Sequence, residues 1–233
     1  MLDGMMRRMI DPLLERIAAR LVLRGVSADA VTFIGFGLGM VSALGVAVGA
    51  DAAALLALAL SRLCDGLDGA VARQTRTTDR GGYMDIVLDF VFYGAIPLAF
   101  ALRDPAANAI PAVVLLFAFY INGASFLAFS AIAAKRNMVT ATRGVKSIYF
   151  TVGLTEGTET IIAFAAMMLF PAHFAMIAYF FAGLVVMTTL SRLALAWAVF
   201  RDDPEAEAEP TATDRENGMD GDGSDRNRPG GSG

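Results

Sequence analysis

Cysteine and histidine are almost missing from this chain: its 233 residues include one of each, Cys64 and His173. A single cysteine permits no disulfide within the chain and no thiolate-rich metal site. A single histidine rules out imidazole-cluster metal centres and leaves no framework for a Ser-His-Asp triad. Any metal must therefore be held by carboxylates, which favour a hard cation such as Mg²⁺ or Mn²⁺. Charge is scarce as well. Charged residues make up 18% of the chain and apolar residues 56%, with a mean hydropathy of +0.55. Soluble domains sit at about 45–50% apolar. The net charge of −4 offers no basic excess, and no nucleic-acid partner is expected.

What the chain has instead is apolar sequence in long blocks. Six transmembrane spans are predicted, at residues 30–49, 52–72, 82–102, 107–133, 148–170 and 174–199. Each is about 20 residues or longer, enough at ~1.5 Å rise per residue to cross the hydrocarbon core. The connections alternate in charge. One set holds Arg73, Arg76 and Arg80, then Lys135, Arg136, Arg143 and Lys146, then Arg201. The other holds Asp51, Arg103 with Asp104, and His173. The positive-inside rule puts the first set and both termini in the cytoplasm. The expected location is a bacterial-type inner membrane.

The ends read differently. Residues 1–25 form a basic amphipathic stretch rather than a short apolar segment followed by a cleavage site. Met9, Leu13, Ile17 and Leu21 share one helical face, with Arg7, Arg16, Arg20 and Arg24 largely elsewhere, as in a helix lying in the cytoplasmic interface. Residues 202–233 carry ten acids against three arginines and almost no large apolar side chain. Such a segment cannot bury enough surface to offset its ordering entropy, so a disordered acidic tail is expected. The fold class predicted is thus an all-α membrane protein with an interfacial helix (1–25), a six-span body (26–201) and the tail. Glycines punctuate the first span, and Gly35-x-x-x-Gly39 suits close helix packing, against another helix of the same chain or at a dimer face.

Four carboxylates stand where a bilayer penalises them. An ionised Asp at a span centre costs roughly 2.5–3.5 kcal/mol on insertion scales. Yet Asp65 and Asp68 lie in the second span and Asp85 and Asp89 in the third. The i, i+3 and i, i+4 spacings put each pair on one face of its helix. The short connection makes the helices antiparallel neighbours, with all four acids toward the cytoplasmic side. Four negative charges in one place repel strongly at low dielectric. One or two divalent ions would offset them. The plainer alternative is ion pairing with Arg62, Arg73, Arg76 or Arg80.

Read in order, the residues are Asp65-x-x-Asp68-Gly69-x-x-Ala72-Arg73, a seven-residue spacer, then Gly81-x-x-x-Asp85-x-x-x-Asp89. This resembles the signature of the CDP-alcohol phosphatidyltransferase family, and every defining position is filled. The resemblance implies that Asp65, Asp68, Asp85 and Asp89 surround two Mg²⁺ or Mn²⁺ ions, with Asp89 also the base that takes the acceptor proton. It implies a CDP-diacylglycerol donor, a small alcohol acceptor, release of CMP and a homodimer among membrane lipids. Gly69, Ala72 and Gly81 would give the nucleotide room, and Arg73 would fork onto phosphate oxygens. Thr78 in the cytoplasmic turn is a candidate nucleotide contact. So is Thr32, because Val31-Thr32 matches the end of the family's T-P-N-x-V-T entry to the first span, although Ser27, Ala28 and Asp29 depart from it.

The acceptor side is less specified. Glu156 and Glu159 are three apart in the apolar fifth span and suit an acceptor cavity or pairing with neighbouring helices. Lys135, Arg143, Lys146 and Arg192 gather near the cytoplasmic side and suit an acceptor phosphate or lipid head groups. Asn122 suits interhelical hydrogen bonding. Glycerol 3-phosphate is the expected acceptor, with serine, inositol phosphate and choline as alternatives. A reading of another class is a divalent-cation carrier or sensor, for which Arg73 beside the acids has no evident use.

Overall fold

The computed structural model describes residues 2–136 and 157–200. The described residues are helical, without strands. Helix α1 spans Leu2–Leu23, α2 Ala28–Ala47, α3 Asp51–Gln74, α4 Asp79–Arg103, α5 Pro105–Lys135, α6 Gly157–Leu169 and α7 Phe174–Val199, with a short 3₁₀ turn at Pro171–His173. By backbone contacts the described residues up to Ala194 form one compact unit.

Four stretches are long and apolar enough to cross a membrane: Ala28–Ala47, Asp79–Arg103, Pro105–Lys135 and Pro171–Val199. Helix α3 has 24 residues, about 36 Å at the helical rise, but carries Asp51, Arg62, Asp65, Asp68 and Arg73. Helix α6 has 13 residues; the rest of the fifth expected span, and the acidic tail, lie outside the described residues. Large apolar side chains cover the outside, among them Phe33 on α2, Ile110 and Phe117 on α5 and Phe180 on α7. So much exposed apolar surface on a soluble molecule would drive association. A hydrocarbon surrounding removes that penalty, so the chain is an integral membrane protein.

Local chemistry sets the helix ends. Ser27 caps α2 by accepting from the Ala30 N–H at 3.2 Å. Thr78 caps α4 by accepting from the Gly81 N–H at 3.1 Å, and Asp104 caps α5 through the Ala107 N–H. Such caps each contribute ~1 kcal/mol. Gly49, just past α2, has φ +79°, a left-handed conformation that ends the helix. Beside it Arg103, at the end of α4, pairs with Asp51, at the start of α3. Asp51 and Arg103 of this connection set thus neutralise one another.

The glycines of α2 are used within the chain. A Cβ on Gly35 would lie 2.8 Å from the Cβ of Cys64, and one on Gly39 would lie 2.8 Å from the Phe92 ring. The close approach is fastened by hydroxyls: Ser61 donates to the Gly35 carbonyl at 2.7 Å and Ser42 to the Ala54 carbonyl at 2.8 Å. Helix α2 thereby packs on both α3 and α4. The backbones of α3 and α4 approach each other only sparsely, so they are not packed neighbours as expected from the short connection. They face each other across a cleft whose floor is α2.

The core is aromatic. Phe92, Phe119 and Phe164 meet edge to face or tilted at about 6 Å, and Phe100 stacks on Phe174 at 4.3 Å. Helix α1 joins through a second cluster, where Leu14 and Ala18 pack with Leu67, Ala70 and Val71 of α3. Its protein-facing side is therefore Leu14, Ile17, Ala18 and Leu21, whereas Leu13 is 57% exposed.

Candidate active site

The end of α3 and the start of α4 are joined by four residues, 75–78, which turns the two aspartate-bearing faces toward one another. Carboxylate oxygens of Asp65, Asp85 and Asp89 all lie within 4.8 Å of one another. Asp68 stands beside this trio and lines the same cavity, with Thr32, Gly35, Arg62 and Phe92. Asp68 is buried, and its Oδ2 accepts from the Thr32 hydroxyl at 2.7 Å. Thr32 thus touches the aspartate motif directly.

Arg62 is the cation in the cluster. Its Nη1 donates to Asp89 Oδ1 at 3.2 Å and lies 3.5 Å from Asp65 Oδ1. The other expected ion pairs do not form here: Arg80 pairs instead with Asp29, at the start of α2. That pair closes the α3–α4 turn over the start of α2, at one of the positions that depart from the family's pattern. Gly81 sits in the same corner, where a Cβ would lie 3.5 Å from Asp29 Oδ1.

The other motif residues are adjacent. Arg73 folds back along α3, so that a Cβ on Gly69 would lie 3.3 Å from its Nη1. Ala72 is half-buried beside them and Arg73 is exposed. The hydroxyl oxygen of Thr78 serves as the α4 cap. The site face thus runs from the carboxylates to a guanidinium at the end of α3.

The residues expected for an acceptor are described only in part. Glu156, Arg143 and Lys146 lie outside them. Lys135 is exposed in the last turn of α5 and Glu159 half-buried in the first turn of α6. Arg192 is tied to α5: its Nη1 donates toward Asn122 Oδ1 (2.9 Å) and Ser125 Oγ (3.0 Å), and its guanidinium lies 5.5 Å from the Phe126 ring centroid. Thr189 also donates to Asn122 Oδ1, so Asn122 links α5 and α7 by hydrogen bonds.

The sequence offers Arg62 as one of four arginines that could pair with the carboxylates, and the structure shows it paired with Asp65 and Asp89. Its signal was present: an arginine inside an apolar span, three residues before Asp65 and so on the same helical face. What the sequence did not carry was its reach to Asp89 or its seat on Phe92, 4.5 Å from the ring centroid.

The donor set consists of converging carboxylates, with no imidazole or thiolate among the three closest ligands. It fits a hard divalent cation and would be poor for a soft one.

The sequence model of a family described as CDP-alcohol phosphatidyltransferase matches residues 26–200. The chain is 46% identical over 193 residues to the inner membrane protein YnjF of Escherichia coli K12, covering 83% of this chain and 94% of that one. It is 40% identical over 91 residues to an archaetidylinositol phosphate synthase of Methanothermobacter thermautotrophicus, covering 39% and 43%. Its fold is similar to a phosphatidylinositol phosphate synthase of Mycobacterium tuberculosis. The form solved with CDP-DAG bound matches with a TM-score of 0.65 at 22% identity, over 82% of this chain and 99% of that one. The form solved with manganese and citrate matches with a TM-score of 0.59 at 23% identity, over 82% and 93%.

Proposed function

Because the chain belongs to the CDP-alcohol phosphatidyltransferase family, we propose that it moves a phosphatidyl group from CDP-diacylglycerol to a phosphate-bearing alcohol, releasing CMP. The observation that carries the reading is the convergence of Asp65, Asp85 and Asp89 across the α3–α4 cleft, with Arg73 over Gly69 at one end. A cation carrier would need the carboxylates alone. A diphosphate donor also needs a forked guanidinium beside them.

In this reading Asp65, Asp68, Asp85 and Asp89 would hold two Mg²⁺ or Mn²⁺ ions. Such ions supply charge neutralisation and Lewis acidity at a diphosphate. Arg73 binds phosphate oxygens, and Gly69, Ala72 and Gly81 leave space for the nucleotide. Thr32 orients Asp68. Asp89 accepts the proton of the acceptor hydroxyl, whose oxygen attacks the β-phosphorus as the bond to CMP breaks.

Glycerol 3-phosphate and inositol phosphate share the chemistry that Arg192, Lys135, Arg143 and Lys146 would recognise, a phosphate monoester. The names of the archaeal relative and the mycobacterial structure favour inositol phosphate as the second reading. The reading extends to six spans with α3 and α6 included, an α1 lying in the interface, the catalytic body at 26–201, and an inner membrane location, supported by the Escherichia coli relative. Both termini and the site face the cytoplasm, supported by the charge asymmetry of the connections. The proposed homodimer would not use Gly35 and Gly39, which pack inside the chain.

The test is a transfer assay with the purified protein, CDP-diacylglycerol, Mn²⁺ and glycerol 3-phosphate, inositol phosphate, serine or choline in turn. A lipid product should form with one of the two phosphate-bearing acceptors, and in sealed vesicles only when acceptor and metal are supplied at the cytoplasmic face. Product from serine or choline alone would overturn the acceptor assignment. No CMP with any acceptor would overturn the transferase reading.

A further inference from the structure

Arg62 lies outside the aspartate motif, yet its guanidinium is built into the carboxylate cluster. Nη1 bridges Asp89 on the opposite helix and Asp65 on its own. Nη2 donates to Ser61 Oγ at 3.2 Å, and Ser61 is itself fixed by the Gly35 carbonyl. The guanidinium lies on Phe92, a ring with 1% exposure packed against Phe164. Nε is buried without a hydrogen-bond partner. An arginine merely attracted by nearby acids would keep its freedom at the surface. This one is held by side chains of α3 and α4, at the cost of an unsatisfied donor, and the groups it bridges are those assigned to the transfer centre.

We propose that Arg62 is a positioning residue for that centre. It fixes Asp89 by one oxygen, leaving the other to the cavity, and it is a resident positive charge that moderates the cluster's hold on divalent ions. This rests on the metal-site reading above. The two effects have different chemical requirements. Any cation at position 62 would moderate metal binding, because like charges a few ångströms apart repel strongly at low dielectric. Holding Nη1 between Asp65 and Asp89 takes the guanidinium's second nitrogen on Ser61 and its planar face on Phe92, neither of which a lysine ammonium has.

The experiment measures Mn²⁺ binding to the detergent-purified full chain by electron paramagnetic resonance, beside steady-state kinetics at saturating Mn²⁺, for the wild type, Arg62→Met and Arg62→Lys. Arg62→Met should bind Mn²⁺ at least about tenfold more tightly, since one repulsive charge is gone. Its kcat should fall at least about tenfold while KM for CDP-diacylglycerol stays within about threefold, as for a group acting on the base rather than on donor binding. Arg62→Lys should keep wild-type Mn²⁺ affinity and still lose kcat. Unchanged or weaker Mn²⁺ binding in Arg62→Met, or full kcat in Arg62→Lys, would overturn the proposal. If Arg62→Met does not fold, Arg62→Lys decides: native Mn²⁺ affinity with lowered kcat supports it. A wild type that binds no Mn²⁺ overturns the metal-site reading and this one with it, whereas tight wild-type binding left unchanged by Arg62→Met overturns this one alone.

Discussion

Asp89 is engaged by Arg62 through Oδ1, and its neighbours Asp65 and Asp85 supply the closest other carboxylate oxygens. An asparagine would keep the shape of the side chain while removing the basic oxygen. Asp89→Asn should therefore lower the rate of CMP release by at least about a hundredfold, the range of general-base contributions, and change CDP-lipid affinity by less than about threefold at saturating metal. Direct binding of a labelled CDP-lipid, beside the rate, checks this; near-full turnover would remove Asp89 from the base role. At this scale the aspartates were readable because ionised groups in apolar spans demand a reason. Arg62 was half-readable, since its pairing with Asp89 spans two helices and depends on where Phe92 sits. The Thr32–Asp68 hydrogen bond joins residues 36 apart in sequence, a separation that local pattern does not encode.

Helix α2 shows what hydropathy gives and what it withholds. Its length and apolar character were plain from the sequence, and its glycines announced close packing, but not against which partner. Packing settles that: Gly39 makes room for Phe92 and Gly35 for Cys64, whereas a Cβ on Gly37 meets nothing within 4 Å. Gly39→Ala should therefore destabilise by ~1–3 kcal/mol, the cost of overpacking a fitted core, because Phe92 is wedged between Phe164 and Arg62. Gly37→Ala should be neutral or slightly stabilising, by up to ~1 kcal/mol through helix propensity. Thermal unfolding in detergent distinguishes them, and equal melting temperatures for the two variants would contradict this packing. The same element explains the cleft. A short α3–α4 connection implied packed neighbours, but the glycine face of α2 takes both helices and leaves the carboxylates an open space between them. Helix α1 sets Leu14 and Ala18 against α3 and leaves Leu13 outside.

Across the whole molecule, the donor half and the acceptor half differ in how far sequence reaches. The donor half is written in one 25-residue motif on two consecutive helices joined by a tight turn, so its assembly follows from local order. The proposed acceptor half would draw on Lys135 of α5, Glu159 of α6 and Arg192 of α7, which lie far apart in sequence. Arg192 is committed to Asn122 and Ser125, a contact that spacing along the chain does not foretell. The facing carboxylates are proposed to form a divalent-cation-dependent phosphatidyl-transfer centre. The most direct measurement is CMP release by purified protein, stripped with chelator and supplied with CDP-diacylglycerol and acceptor, as Mn²⁺ or Mg²⁺ is added back. Release should be absent without the ion and should return as the ion is titrated in. Release at full rate in excess chelator, or none at any ion concentration, would contradict it.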